Sequence, residues 1–215
     1  HTIMMIKVCG MRDIENINLL QELDIDFMGI IRYSKSKRFV DDSQKEKVAL
    51  QTMNKGTVGV YVNETLENIL QDFIPLQLDV IQLHGDEDPA FAKALLEIDI
   101  KVFKAFQINE TFDFKSLEPW EKLASEFTGK LFFLFDTATP NYGGSGKKFN
   151  WSILDSYNGE VPFLLSGGIS KDDAKAVKEI KHDMLLGVDL NSKFEKEPGV
   201  KNIEEIKTFI EKLRK

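Results

Sequence analysis

Apolar residues in this chain come in short strand-length bursts separated by longer amphipathic stretches, and the alternation continues along the whole sequence. The β-rich bursts are Met4 to Cys9, Phe27 to Tyr33, Thr57 to Val62, Val80 to Leu83, Val102 to Gln107, Leu131 to Phe135, Pro162 to Leu165 and Met184 to Val188. Helical periodicity covers Asp13 to Leu23, Ser43 to Met53, Thr65 to Phe73, Pro89 to Leu96, Ser116 to Phe127, Trp151 to Tyr157, Lys171 to Ile180 and Asn202 to Leu213. A strand followed by a helix is the unit of a parallel sheet. Eight units in succession predict an α/β fold, a closed (β/α)8 TIM barrel; an open doubly wound sheet shares the local pattern but fits the count less well. No linker or compositional break divides residues 4–215, so a single domain is expected. At about 27 residues per unit the loops must be short for this architecture. The two longer ones, Ser34 to Arg38 after strand two and Ala138 to Asn150 after strand six, therefore draw attention.

Barrels of this kind gather their chemistry at the C-terminal ends of the strands. Period-two alternation puts Met5, Lys7 and Cys9 on one face of strand one, and Phe132, Leu134 and Asp136 on one face of strand six. If both faces point inward, Cys9 and Asp136 meet across the mouth, where a thiol and a carboxylate make a workable base and acid. The competing readings are a cysteine serving as a small buried hydrophobe and an aspartate that only orders the following loop. Gly167 and Gly168 follow strand seven and precede a helix expected to begin near Lys171, so their N–H groups suit an anion; a tight turn is the alternative. Asp189 to Lys193, read as the loop after strand eight, add polar groups on the same side.

Three cations without an intervening acid occupy Ser34 to Arg38. Such a run is usually solvated, but at a barrel mouth Arg38 has the planar fork that pairs with a carboxylate. Asn141 to Lys147 reads as a mobile glycine-rich cover or an ordinary connection. His84, ending strand four, reads as a structural residue, and His182 lies toward the opposite rim.

Composition narrows the partners. A net charge of -7 and a pI near 5.1 argue against attraction to nucleic acid or to anionic membranes, leaving a small molecule as the expected ligand. With Cys9 as the sole cysteine, neither an intrachain disulfide nor a cysteine-rich metal site can form, which fits a reducing cytoplasm. No apolar run approaches bilayer length and no signal-peptide pattern opens the chain, so a cytoplasmic protein is expected. His1, Thr2 and Ile3 read as a tag remnant before a start at Met4 or Met5. A monomer is favoured slightly over a homodimer, since the chain is long enough to stand alone.

Seven short words carry a resemblance: Lys7-Val8-Cys9-Gly10-Met11, Ser34-Lys35-Ser36-Lys37-Arg38, Gln82-Leu83-His84-Gly85, Phe135-Asp136-Thr137, Gly143-Gly144-Ser145-Gly146, Ser166-Gly167-Gly168-Ile169 and Gly187-Val188-Asp189-Leu190-Asn191-Ser192. In these words and their order the chain resembles the phosphoribosylanthranilate isomerase family of tryptophan biosynthesis. The resemblance implies a cofactor-free and metal-free Amadori rearrangement of N-(5'-phosphoribosyl)anthranilate, with Asp136 as the acid that opens the furanose ring and Cys9 as the base at C2. It implies Arg38 as binder of the anthranilate carboxylate, Gly167, Gly168, Asn191 and Ser192 in the phosphate loops, and Asp189 as a polar residue facing the substrate. Two departures stand out: Lys193-Phe194 precede Glu195 where the family has glycine and a small apolar residue, and a family Lys-Asp pair becomes Lys201-Asn202. Another phosphosugar barrel of the pathway, indole-glycerol-phosphate synthase, would need a catalytic lysine such as Lys7 or Lys104 and a glutamate. A non-catalytic phosphometabolite-binding barrel is the third reading, kept open by Lys193.

Overall fold

The computed structural model describes residues 3–51, 54–138 and 150–215. Eight parallel strands, β1 (Met5–Val8), β2 (Phe27–Ile31), β3 (Gly56–Tyr61), β4 (Val80–Leu83), β5 (Lys101–Gln107), β6 (Leu131–Asp136), β7 (Phe163–Ser166) and β8 (Leu185–Leu190), close into a barrel in chain order. The expected TIM barrel is therefore the observed one. Around it lie α1 (Ile14–Gln21), α2 (Lys45–Gln51), α3 (Leu66–Phe73), α4 (Pro89–Glu97), α5 (Glu118–Glu126), α6 (Ala174–Lys178) and α7 (Ile203–Arg214).

Local chemistry starts these helices where they start. Asp13, Thr65, Asp88 and Asn202 are extended residues whose side chains accept from the N–H three residues on, in α1, α3, α4 and α7. Pro89 occupies the first turn of α4, where its missing N–H costs nothing. The cap at Asn202 fits one sequence departure, because asparagine caps a helix as well as an aspartate would at this position of α7.

Three expectations need correction. Trp151 to Tyr157 is not an α-helix but a 3-10 helix over Trp151–Ser156. The helix expected from Lys171 to Ile180 contracts to the five residues of α6, because Asp173 turns back to accept from Ser170 N and Oγ at 2.7 and 3.0 Å rather than capping a longer helix. Strand eight runs on to Leu190, so Asp189 belongs to the sheet and not to the following loop. That loop contains a 3-10 turn, Ser192–Phe194, and a small hairpin of β9 (Glu195–Glu197) and β10 (Val200–Lys201) turning at Pro198 and Gly199. The glycine-rich stretch Asn141 to Lys147 lies outside the described residues, as do His1, Thr2 and Met53.

Two apolar layers hold the fold. The larger lies between sheet and helices; the smaller fills the barrel with Val58, Val60, Val80, Phe103, Leu134 and Leu164, and Cys9 belongs to it. Near the N-terminal ends of the strands Phe103 meets Phe27 and Phe132 edge-on, at 5.6 and 6.0 Å between ring centres. These rings plug the barrel below the mouth, and truncating such a buried ring typically costs about 3–5 kcal/mol.

Candidate active site

Register builds the site. Along one rung of the barrel Asp136 of β6 pairs with Ser166 of β7, Ser166 with Asp189 of β8, and Asp189 with Lys7 of β1. Partners on one rung point to the same side of a sheet, so a carboxylate, a hydroxyl, a second carboxylate and an ammonium are lined up inside the barrel. Lys7 Nζ donates to Asp189 Oδ1 at 3.0 Å, and Ser166 Oγ donates to Oδ2 at 3.3 Å. Cys9 is two residues above Lys7 on the same face, at the mouth.

Above this rung opens a cavity of about 340 Å³. Cys9, Asp136, Gly167, Gly168, Asp189, Asn191 and Ser192 all line it. Sequence reasoning thus placed all but one of its site residues in the same hollow. Their backbones are shaped for it. Gly29 of β2 stands beside Cys9, and a methyl group there would come within 2.7 Å of Sγ. Gly167, at φ +97°, lets its loop pass so close to strand six that a Cβ would meet Ala138 N at 2.2 Å and Asp136 Oδ1 at 2.6 Å. Gly168 follows at φ +69°, and Thr137 Oγ1 donates to the carbonyls of Ser166 and Gly167 at 2.9 and 3.0 Å, fastening that turn. Because α6 begins well beyond Gly168, any anion cradle here is made by the glycine loop itself and not by a helix start.

The two proposed proton-transfer groups sit in contrasting surroundings. Burial pushes the Cys9 thiol above its ordinary value, while the ammonium groups of Lys7 and Lys201 pull it back. Burial works against the charge of Lys7, yet Asp189 and Cys9 outweigh it and hold that ammonium protonated. Asp136 is gripped at both oxygens. Oδ1 accepts from Ala138 N at 2.9 Å, and Oδ2 lies 3.3 Å from His84 Nε2. Gln82 Nε2 lies 2.9 Å from His84 Nδ1, an arrangement in which the amide donates to Nδ1 and Nε2 carries the proton toward Asp136. His84, expected to be merely structural, is therefore an orienting neighbour of the carboxylate. Its word Gln82-Leu83-His84-Gly85 was a signal for it, but nothing local in the sequence points to a partner 52 positions away.

Arg38 is placed differently from the other site residues. It does not line the cavity; Glu195 accepts from its Nε, at 2.9 and 3.1 Å to the two oxygens, and also from Nη2. Lys193 lines the cavity on the Asn191 side and adds a cation there. It is not among the non-glycine residues of positive φ, so the 3-10 turn it occupies does not require the family's glycine. Phe194 is fully buried and meets Phe209 of α7 at 5.3 Å, filling space that a small residue would leave. Lys104, the other lysine considered for catalysis, donates to Gly85 O and Glu87 at 2.7 and 3.2 Å and lines a separate hollow with Trp120. Among the described residues no cluster of three or more His, Cys, Asp or Glu could hold a metal ion, and no helix is long and apolar enough to cross a membrane.

Known proteins agree with this picture. Residues 6–212 match the family model described as N-(5'phosphoribosyl)anthranilate (PRA) isomerase. The chain is 43% identical to the N-(5'-phosphoribosyl)anthranilate isomerase of Parabacteroides distasonis, over 98% of this chain and 93% of that one. It is 40% identical to that of Phocaeicola vulgatus, over 98% of both. Among solved structures, phosphoribosyl anthranilate isomerase from Thermotoga maritima superposes with a TM-score of 0.82 at 30% identity over 98% of both chains. A phosphoribosyl anthranilate isomerase in complex with reduced 1-(o-carboxyphenylamino)-1-deoxyribulose 5-phosphate gives 0.80 at 26% identity, again over 98% of both. With barrel, mouth and relatives in agreement from β1 to α7, the chain belongs to the N-(5'-phosphoribosyl)anthranilate isomerase family.

Proposed function

We propose that this isomerase converts N-(5'-phosphoribosyl)anthranilate to 1-(2-carboxyphenylamino)-1-deoxyribulose 5-phosphate in tryptophan biosynthesis, with Asp136 as general acid and Cys9 as general base. The observation that carries the assignment is the shared cavity: a thiol from β1 and a carboxylate from β6 at one mouth, with the Gly167-Gly168 turn and the Asn191 loop beside them. Asp136 gives its proton to the furanose ring oxygen as the C1–O bond breaks, leaving a Schiff base at C1. The Cys9 thiolate removes the C2 proton, and its electron pair forms the enolamine. Protonation at C1 and loss of the proton on the C2 oxygen then give the ketone. All four steps move protons within the substrate and two side chains, so the balance needs neither oxidant nor reductant.

The anions are held at two ends. Gly167, Gly168, Asn191 and Ser192 take the phosphate, with Lys193 adding charge; Arg38 takes the ring carboxylate, and Asp189 faces the sugar while anchoring Lys7. Lys7 and Lys201 stabilise the thiolate. One domain over residues 4–215, a monomeric state and a cytoplasmic setting complete the reading, although the Thermotoga maritima relative is described as dimeric. Sedimentation of the purified chain tests the monomer. The decisive experiment follows the fluorescence of phosphoribosylanthranilate with and without protein. Rapid decay that disappears in Cys9→Ala, while that variant still binds product, is expected; no acceleration by the parent chain leaves a binding barrel instead.

A further inference from the structure

Glu195 takes no part in any step above, yet it is the most heavily engaged carboxylate near the mouth. Its side chain is 5% exposed. It accepts from two edge atoms of Arg38, from Lys201 Nζ at 2.7 Å and from Gly199 N at 2.9 Å. Arg38 and Lys201 together hold its carboxyl below the usual range against the opposing effect of burial, so it stands there as an anion between two cations.

Each cation is turned by this contact. Arg38 spends its Nε and Nη2 on Glu195, and Nη1 has no hydrogen-bond partner among the described residues. Lys201 is buried completely and gives a further hydrogen bond to Asn191 Oδ1 at 3.0 Å. An ammonium only donates, so it faces the amide oxygen and leaves Nδ2 as the group Asn191 offers to the cavity. Arg38 and Asn191 are neighbours across Gly10, where a Cβ would come within 2.5 Å of Arg38 Cδ and 2.8 Å of Asn191 Oδ1.

Resting on the isomerase reading, we propose that Glu195 is a positioning residue that aims both anion-binding ends of the site, Arg38 toward the substrate carboxylate and, through Lys201, the Asn191 amide toward the phosphate. A long arginine clamped along one edge need not be ordered when ligand arrives, and an amide with a fixed oxygen presents its N–H groups in one sense only. Preorganisation of this kind strengthens binding by lowering the cost of ordering.

Three probes test it by calorimetry: reduced 1-(o-carboxyphenylamino)-1-deoxyribulose 5-phosphate, the same compound without its ring carboxylate, and the same compound without its phosphate. In the parent the full probe should bind far more tightly than either truncated one. Glu195→Gln should lower both preferences about tenfold, the loss of one well-aimed charge-assisted hydrogen bond at each end. Arg38→Ala should lower the carboxylate preference alone. A merely structural role for Glu195 would weaken all three probes alike and leave the ratios unchanged, which would overturn the proposal. Should Glu195→Gln fail to fold, Glu195→Asp keeps the charge but is too short to reach both cations; its ratios must fall too, and unchanged ratios overturn the proposal equally. A parent that does not distinguish the probes would remove the isomerase reading itself, whereas a discriminating parent with an equally discriminating variant removes only the role of Glu195.

Discussion

Lys7 and Asp189 face one another on adjacent strands at 3.0 Å, with side chains 0% and 4% exposed. Neither can lose its partner cheaply, because an unpaired charge would remain in the barrel interior. Removing one member of a buried pair commonly costs about 3–5 kcal/mol. Lys7→Met should therefore lower the unfolding free energy by an amount of that order, read as a lower urea midpoint with an unchanged slope. A variant as stable as the parent would show that water reaches Asp189 and that the pair is not structural.

Lys7 and Lys201 both bear on the reactivity of Cys9. Because burial raises the Cys9 thiol, its thiolate fraction increases as pH climbs through and beyond the ordinary thiol range, and both alkylation and isomerisation should rise on that limb. Cys9 is the sole cysteine, so iodoacetamide uptake followed by mass spectrometry reports on it alone. Lys201→Met removes a charge that lowers the thiol, and the limb should move to higher pH. A labelling rate that does not climb with pH through the ordinary thiol range would contradict a raised Cys9 thiol whose thiolate is the reacting form.

How much of this was readable in the sequence depends on the distance over which each feature is encoded. Strands β1 and β6 are marked by apolar runs, and period-two geometry brings Cys9 and Asp136 to one mouth once both faces point inward, as they do here. Glycines at 167 and 168 marked a turn, but the length of the helix after it depended on Asp173 folding back onto Ser170, a competition between two local bonds that periodicity does not register. Pro198-Gly199 marks a turn, but its strands, Glu195–Glu197 and Val200–Lys201, are polar and too short to show a strand pattern in the sequence. The partnership of Arg38 with Glu195 spans 157 positions and leaves no local trace, so the fork expected to be free for substrate is already half engaged.

Gly29 offers a test confined to geometry. An alanine methyl at this position would lie 2.7 Å from Cys9 Sγ and 3.1 Å from Cys9 Cα, so the thiol and its strand must both shift. Because misplacement by about 1 Å can cost 10²-fold in rate, Gly29→Ala should reduce kcat strongly. Stability should fall by the more modest 1–3 kcal/mol, roughly, of an overpacked core. Thermal melting and steady-state kinetics on one preparation separate the two effects, and an unchanged kcat would argue that Cys9 does not act from this position.

Asp136→Asn is the sharpest probe of the acid. The asparagine oxygen can still accept from Ala138 N, as Oδ1 does now at 2.9 Å, so the loop after β6 keeps its anchor. On the other side an amide nitrogen replaces Oδ2 and meets His84 Nε2, and the imidazole must change tautomer to accept from it. Shape is preserved while the transferable proton is lost. General acid assistance is commonly worth about 10²- to 10⁴-fold, so turnover should drop at least that far at every pH if ring opening limits the rate. Binding of the reduced product analogue should persist, since the proposed holders of its phosphate and carboxylate are the glycine turn, Asn191 and Arg38 rather than Asp136. A structural role predicts the reverse pattern: a lower melting temperature, with the folded fraction working nearly as well as the parent. A variant that folds, binds the analogue and turns over normally would exclude Asp136 as the acid and leave His84, its neighbour in the same cavity, as the group to examine.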